Sequence, residues 1–333
     1  MQDKTTNPRL LGIEIGGTKL QLGLGRGDGR IEVLERREVS PSEGAGGVCA
    51  QIEDGFEALL QKAGLTRGEI GAVGVGFGGP VVADSGVVTT SHQVAGWDGF
   101  PLANWVRGTL GVEHVSIQND ADTAGLGEAR FGAGVGVSPV LYVTVGSGIG
   151  GGLILNGKIY RGAGAGAIEI GHLWVIDRHN SDLGEVTLEK AASGWAIGES
   201  ARMYAERLKR EGVEWLVLSR AGGDPSAITA KDLAAAAGEG DREAALLLDR
   251  AVHAMARGLA QAVTLLAPKR IILGGGVSLI GEKLWLGPIR ENLERCVFPP
   301  FRGTFDLVAA ALGEEVVVHG ALALARDLIS PQG

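Results

Sequence analysis

The 333-residue chain carries 39 acidic against 31 basic side chains, a formal net charge of -8. That balance argues against a general nucleic-acid or acidic-membrane binder, which needs an excess of Lys and Arg on one face, and the length favours two lobes, each able to bury its own core. The two cysteines, Cys49 and Cys296, lie far apart and offer neither a disulfide framework nor a CxxC metal site.

The N-terminal stretch "MQDKTTNPRLLGIEIGG" has no long apolar segment after its charges, so no secretory signal and a cytoplasmic location are expected. "LLGIEIGGTKLQLGLGRGDGRIEVLERREV" reads as three strands joined by glycine turns at Gly16-Gly17 and Gly27-Asp28-Gly29. Helical spacing runs from about Gly47 to Ala63, and "EIGAVGVGFGGP" then reads as a buried strand ending in a glycine loop. "PLANWVRGTLG" is expected as a short helix and "EHVSIQND" as a strand with two polar residues at its end. No charge occurs between Arg130 and Lys158, but Pro, Ser and many Gly interrupt this segment, so it reads as strand, loop, strand and not as a membrane helix. "VLYVTVGSGIGGGLILNGKIYRG" repeats the opening hairpin. A long helix is expected over about Arg242 to Leu266, a strand into a triple-glycine loop in "KRIILGGGVS", and a closing helix in "EVVVHGALALARDLI". Hairpins followed by helix and strand in both halves suggest two related α/β lobes facing a ligand cleft.

Three glycine clusters follow expected strands: "GIEIGGTK", "VGSGIGGG" and "ILGGGVS". Glycine there lets backbone N–H groups approach an anion, and hydroxyls such as Thr18 and Ser147 add donors for phosphate oxygens. Each cluster alone is equally well a tight turn; three together point to a nucleotide. None has P-loop spacing, and the GxGxxG in "GSGIGGG" joins two strands where a dinucleotide fingerprint would open a helix. Asn119 and Asp120 close a strand. Asp120 is suited to accept a proton from a substrate hydroxyl while Asn119 orients a neighbouring one; the plainer alternative is that Asp120 caps the following helix. "GAIEIGHLWV" sets Glu169 three residues from His172, with Glu185 and Glu189 following. These could ligate a metal, with Asp177 and His179 completing the set, or clamp a polyol, whose hydroxyls both donate and accept.

The order of these motifs, across essentially the whole chain, resembles the ROK family of bacterial sugar kinases and repressors, its glucokinase-like members in particular. "IEIGGTK" and "VGSGIGGGLILNGKIYRG" resemble the two phosphate motifs, "GFGGPVVADSGVV" and "GWDGFPLANWV" the sugar-lobe segments, "NDADTAGLGE" the catalytic segment, "EIGH" with "LEKAASG" the sugar-binding signature, and "IILGGGVS" the adenosine-side loop. The resemblance implies a two-lobed actin-like ATPase fold, ribonuclease H-like and α/β, with residues 1–120 plus about 312–333 as the smaller lobe and 121–311 as the larger. It implies a homodimer that transfers phosphate from ATP, with Mg²⁺, to a hexose. Asp120 becomes the general base; Gly79, Gln93, Asn119, Glu169, His172 and Glu189 become sugar ligands. Gly16, Gly17, Thr18, Lys19, Gly146, Ser147, Gly148, Gly274, Gly275 and Gly276 become nucleotide contacts.

The chain also departs from the family pattern. Where the family usually places a CxCGxxGC zinc site, this chain reads "LWVIDRHNSDLGEVTL", so no zinc is expected and Asp177, His179 or Asp182 are candidates to support the clamp instead. The family's Asp in the first phosphate motif is Glu14, expected to reach Mg²⁺ through water, and its Asn before Gly-Trp is Gln93. Glucose at its 6-hydroxyl is the leading acceptor. The alternatives are mannose, fructose or an N-acetylhexosamine as acceptor, or polyphosphate as donor. A sugar-responsive regulator is disfavoured because the first strand near Arg9 leaves no room for a preceding DNA-binding helix-turn-helix.

Overall fold

The computed structural model describes residues 8–91, 93–163, 166–176 and 184–330. The opening meander is present as β1 (Arg9–Ile15), β2 (Lys19–Gly25) and β3 (Ile31–Glu38). In β1 and β2 nearly every residue is buried, as a strand covered on both faces requires. Helix α1 (Gly44–Ala63) begins three residues before its expected start, where the Ala45 N–H is taken up at 2.8 Å by the Ala95 carbonyl, a partner that local spacing does not announce. Strand β4 (Ile70–Phe77) follows, then the small hairpin of β5 (Val81–Val82) and β6 (Val87–Val88), helix α2 (Leu102–Leu110), strand β7 (His114–Asn119) and helix α3 (Asp120–Phe131).

The first sheet has the order β3-β2-β1-β4-β7. Strands β1, β4 and β7 are parallel, and their registers align Ile15 with Phe77 and Phe77 with Asn119. The three chains therefore leave the sheet together, and the residues that follow, Gly16, Gly78 and Asp120, share one edge. Functional groups collect at that carboxyl edge in sheets of this type.

The uncharged segment after Arg130 forms β8 (Val140–Val145) and β9 (Ile149–Leu155), followed by β10 (Lys158–Ile159). No helix of the described residues is long and apolar enough to cross a membrane. Next come β11 (Trp174–Ile176), its antiparallel partner β12 (Glu185–Thr187), and helices α4 (Leu188–Ala192), α5 (Gly194–Glu211), α6 (Leu216–Arg220), α7 (Ala230–Gly238) and α8 (Arg242–Leu266). Helix α8 matches its expected limits and is held at its start by the Asp241 side chain, which accepts the Ala244 N–H. Strand β13 (Arg270–Gly274), helix α9 (Gly287–Cys296), strand β14 (Asp306–Ala309) and helix α10 (Val316–Ile329) complete the chain. The second sheet has the order β10-β9-β8-β13-β14.

The chain packs as two compact units: Met1–Tyr142 with Gly152–Ile168 and Ala310–Gly333, and Val143–Gly151 with Glu169–Ala309. In the first, α10 lies on the sheet at backbone distance. A Cβ on Gly74 would stand 1.9 Å from the Ala321 carbonyl oxygen, and one on Gly320 would stand 1.8 Å from that of Thr123. Glycine is thus what seats α10 against β4 and α3.

Candidate active site

In the first unit, the aligned strand ends build a polar edge out of a buried sheet. The Gly16 N–H donates to the Lys19 carbonyl at 2.8 Å, closing the turn between β1 and β2, and the Gly78 N–H donates to the Ile15 carbonyl at 2.8 Å. Thr18 is exposed at the tip. The Gln93 side chain lies over this turn, with its Oε1 1.5 Å from where a Cβ on Gly17 would be, so Gly17 is fixed by its neighbour.

Asn119 caps α3: its Oδ1 accepts the Ala121 and Asp122 N–H groups at 2.8 and 3.4 Å, while its Nδ2 donates to the Gly79 carbonyl at 3.1 Å. Asp120 is the first helical residue. Its Oδ1 also accepts the Ala121 N–H at 2.8 Å, and its Oδ2 is 3.6 Å from a Cβ position on Gly78. The capping role considered for Asp120 thus falls mainly to Asn119. Asp120 is left half-buried at the edge, with its negative charge next to the positive end of the helix dipole.

Glu14 is 8% exposed. Its Oε1 pairs with the Lys19 ammonium at 3.0 Å, and its Oε2 is buried without a hydrogen-bond partner among the described residues. Burial pushes its pKa up to about 7; Lys19 opposes the rise, and the Asp120 and Glu314 carboxylates add to it. Lys19 also donates to the Glu314 carbonyl at 3.1 Å. The Glu14 Oε2, unpartnered among the described residues, and the Asp120 carboxylate that raises its charge cost are oxygen donors of the hard kind that Mg²⁺ takes.

In the second unit, the turn between β8 and β9 carries Gly146, exposed Ser147 and Gly148. Glu189, in the first turn of α4, accepts the Ile149 N–H through Oε2 at 2.8 Å, and the same oxygen is 2.5 Å from a Cβ position on Gly148. The Gly194 N–H, at the start of α5, donates to the Gly146 carbonyl at 2.8 Å. Gly274 ends β13; Gly275, at φ 81°, and Gly276 follow it, exposed. A Cβ on Gly275 would stand 2.5 Å from the Val145 carbonyl oxygen. Two of the three glycine clusters therefore meet at one place.

Glu169 and His172 are exposed on a single 3-10 turn, Ile170–His172, whose last N–H donates to the Glu169 carbonyl at 3.0 Å. Helix α4 packs against that turn. A Cβ on Gly171 would lie 2.3 Å from the Ile149 carbonyl oxygen, so the Glu-Ile-Gly-His run is anchored on the same hairpin that Glu189 braces. Asp177, His179 and Asp182 lie outside the described residues. Among the described residues, no group of three His, Cys, Asp or Glu side chains is placed to hold a metal ion.

Sequence reasoning missed three glycines of this site. Gly78, Gly171 and Gly194 each sit inside a quoted motif, and the available signal was their place beside a chemically distinctive residue.

The profile of the ROK family matches residues 10–328. The glucokinase of Thermotoga maritima is 33% identical over 96% of this chain and 98% of its own length. The crystal structure of a ROK family glucokinase from Streptomyces griseus in complex with glucose and AMPPNP is similar at TM-score 0.80 and 32% identity, covering 96% of this chain and 99% of that one. The ROK hexokinase from Thermus thermophilus is similar at TM-score 0.77 and 28% identity, covering 95% of this chain and 97% of that one. With its two α/β sheets, its paired glycine turns and this match over almost its entire length, the chain belongs to the ROK family.

Proposed function

We propose that the chain transfers the γ-phosphoryl group of ATP to a hexose, glucose at its 6-hydroxyl foremost. The observation that carries this reading is the register of β1, β4 and β7, which brings the Gly16–Lys19 turn, Glu14 and Asp120 to one sheet edge. Full-length similarity to glucokinases, one of them solved with glucose and AMPPNP, supports it.

In this reading Asp120, in the first turn of α3, accepts the proton of the attacking hydroxyl. Asn119, held rigid by its cap and by Gly79, orients a neighbouring hydroxyl, and Gln93 contacts the sugar from above the first turn. The amides of Gly16, Gly17 and Thr18, with Lys19, and those of Gly146, Ser147 and Gly148 donate to phosphate oxygens. The Gly274–Gly276 loop contacts the adenosine side. Glu169, His172 and Glu189 satisfy the remaining sugar hydroxyls in donor and acceptor pairs.

Glu14 would hold Mg²⁺ through water, beside Asp120, and the ion when bound draws charge from the transferring phosphoryl group. Zinc has no part in this reading. A homodimer and a cytoplasmic setting in sugar catabolism belong to it.

The test is a coupled assay of the full chain with ATP and Mg²⁺ across glucose, mannose, fructose and N-acetylglucosamine, repeated with polyphosphate as donor. Turnover greatest with glucose and ATP is expected. If no hexose is phosphorylated, the reading fails.

A further inference from the structure

Helices α4, α5 and α8 pack against one another, and beside them opens a cavity of about 50 Å³ that the sugar-kinase reading does not use. Its apolar lining includes Ile176, Ile197, Leu247 and Ala254; its polar lining is Lys190, Ser200, Arg250, His253 and Arg257. Among the described residues, no Asp or Glu lines it.

Arg250, Ala254 and Arg257 follow one another at i, i+4 and i+7, so α8 presents them on one face. Both arginines are half-buried, and among the described residues neither guanidinium has a hydrogen bond or ion pair and the buried Arg250 Nε has no partner. The Lys190 ammonium is equally unpaired among them, and His253 pairs with Asp249 on its own helix. In a chain with net charge -8, three neighbouring cations without a counter-ion among the described residues are not the by-product of a basic composition. A guanidinium taken partly out of water without a partner is costly, and an anion received by two such forks restores what burial removes.

We propose that this cavity is a binding site for a phosphate dianion, either free or as the phosphoryl group of a small organic monoester whose carbon part rests against the apolar lining residues. Lys190 follows Glu189 in the single helical turn of α4, so an occupant drawn onto Lys190 bears on the residue that braces the Gly146–Ile149 turn. That effect on turnover rests on the kinase reading; the binding itself does not.

Calorimetric titration of the full chain at constant ionic strength tests the site, with glucose and AMPPNP saturating and with inorganic phosphate or glycerol 3-phosphate as the probe. Saturable uptake is expected, weakened by about tenfold or more in Arg257→Gln and in Arg250→Gln, as the loss of one charge-assisted fork implies. Tighter uptake of glycerol 3-phosphate assigns the site to an organic monoester; equal or tighter uptake of phosphate assigns it to the free anion. Lys190→Gln, at an exposed position, serves if an arginine variant fails to fold. The assignment comes from the substitutions and not from the blocking ligands, so it stands or falls apart from the kinase reading. Absence of uptake by the unaltered chain, or uptake unchanged in the folded variants, overturns the proposal.

Discussion

Glu189 Oε2 accepts the Ile149 N–H at 2.8 Å across forty residues of chain. The carboxylate proposed to clamp a sugar is thereby also the brace of the second phosphate turn. Glu189→Gln retains an acceptor for Ile149 and loses the charge, so it is expected to keep its stability within about 1 kcal/mol while its glucose KM rises. Glu189→Ala leaves the buried Ile149 N–H unmatched, which costs about 1–3 kcal/mol on top of the KM effect. Urea titrations beside steady-state kinetics separate the two. An alanine variant with unchanged melt and unchanged KM would refute both roles.

Asp120→Asn preserves size and the bond to Ala121 but cannot accept the hydroxyl proton. Turnover is expected to fall by about 10²–10⁴-fold, the usual worth of general-base assistance, with glucose affinity largely spared. Near-normal turnover would reduce Asp120 to a helix-terminal residue.

How far the sequence could be read follows from where each feature's cause lies. The β1–β3 meander and α8 were legible because glycine turns and 3.6-residue spacing are local signals. The start of α1 was not, since Ala95 supplies the deciding carbonyl from a distant loop. Asp120 could be picked out as a polar strand end; that Ile15, Phe77 and Asn119 end in register is a property of the assembled sheet. Asp and Asn cap helices about equally well, so composition could not divide the work between Asn119 and Asp120. The Glu189–Ile149 bond leaves no mark in either local pattern.

Burial raises the Glu14 pKa to about 7. A neutral amide suits that environment, so Glu14→Gln is expected to fold normally. It removes the charge that attracts Mg²⁺, and the Mg²⁺ concentration for half-maximal activity should rise by about 10–100-fold, the range for loss of an outer-sphere metal partner. Glu14→Asp, one methylene shorter, should lie between the two. Titrating Mg²⁺ at fixed ATP and glucose gives the answer; an unchanged requirement in Glu14→Gln would move the metal elsewhere.

His319 on α10 supplies a pH test away from the site. Burial lowers its pKa below the ordinary 6.5, and the Glu128 carboxylate on α3 pulls weakly the other way. Glu128 is fully buried and committed to backbone, accepting the Ala133, Ala311 and Leu312 N–H groups at 2.7, 2.9 and 2.8 Å. The unfolded chain therefore protonates residue 319 as pH falls through 6.5, whereas the native chain resists until a lower pH. The unfolded state binds more protons in that window, so stability is expected to drop on acidification from pH 7. His319 Nδ1 has no hydrogen-bond partner among the described residues, and His319→Met removes the titration while leaving an apolar side chain beside Phe131. Urea titrations at pH 7, 6 and 5 should give a shallower decline for His319→Met than for the unaltered chain, and parallel declines would show that residue 319 takes no part.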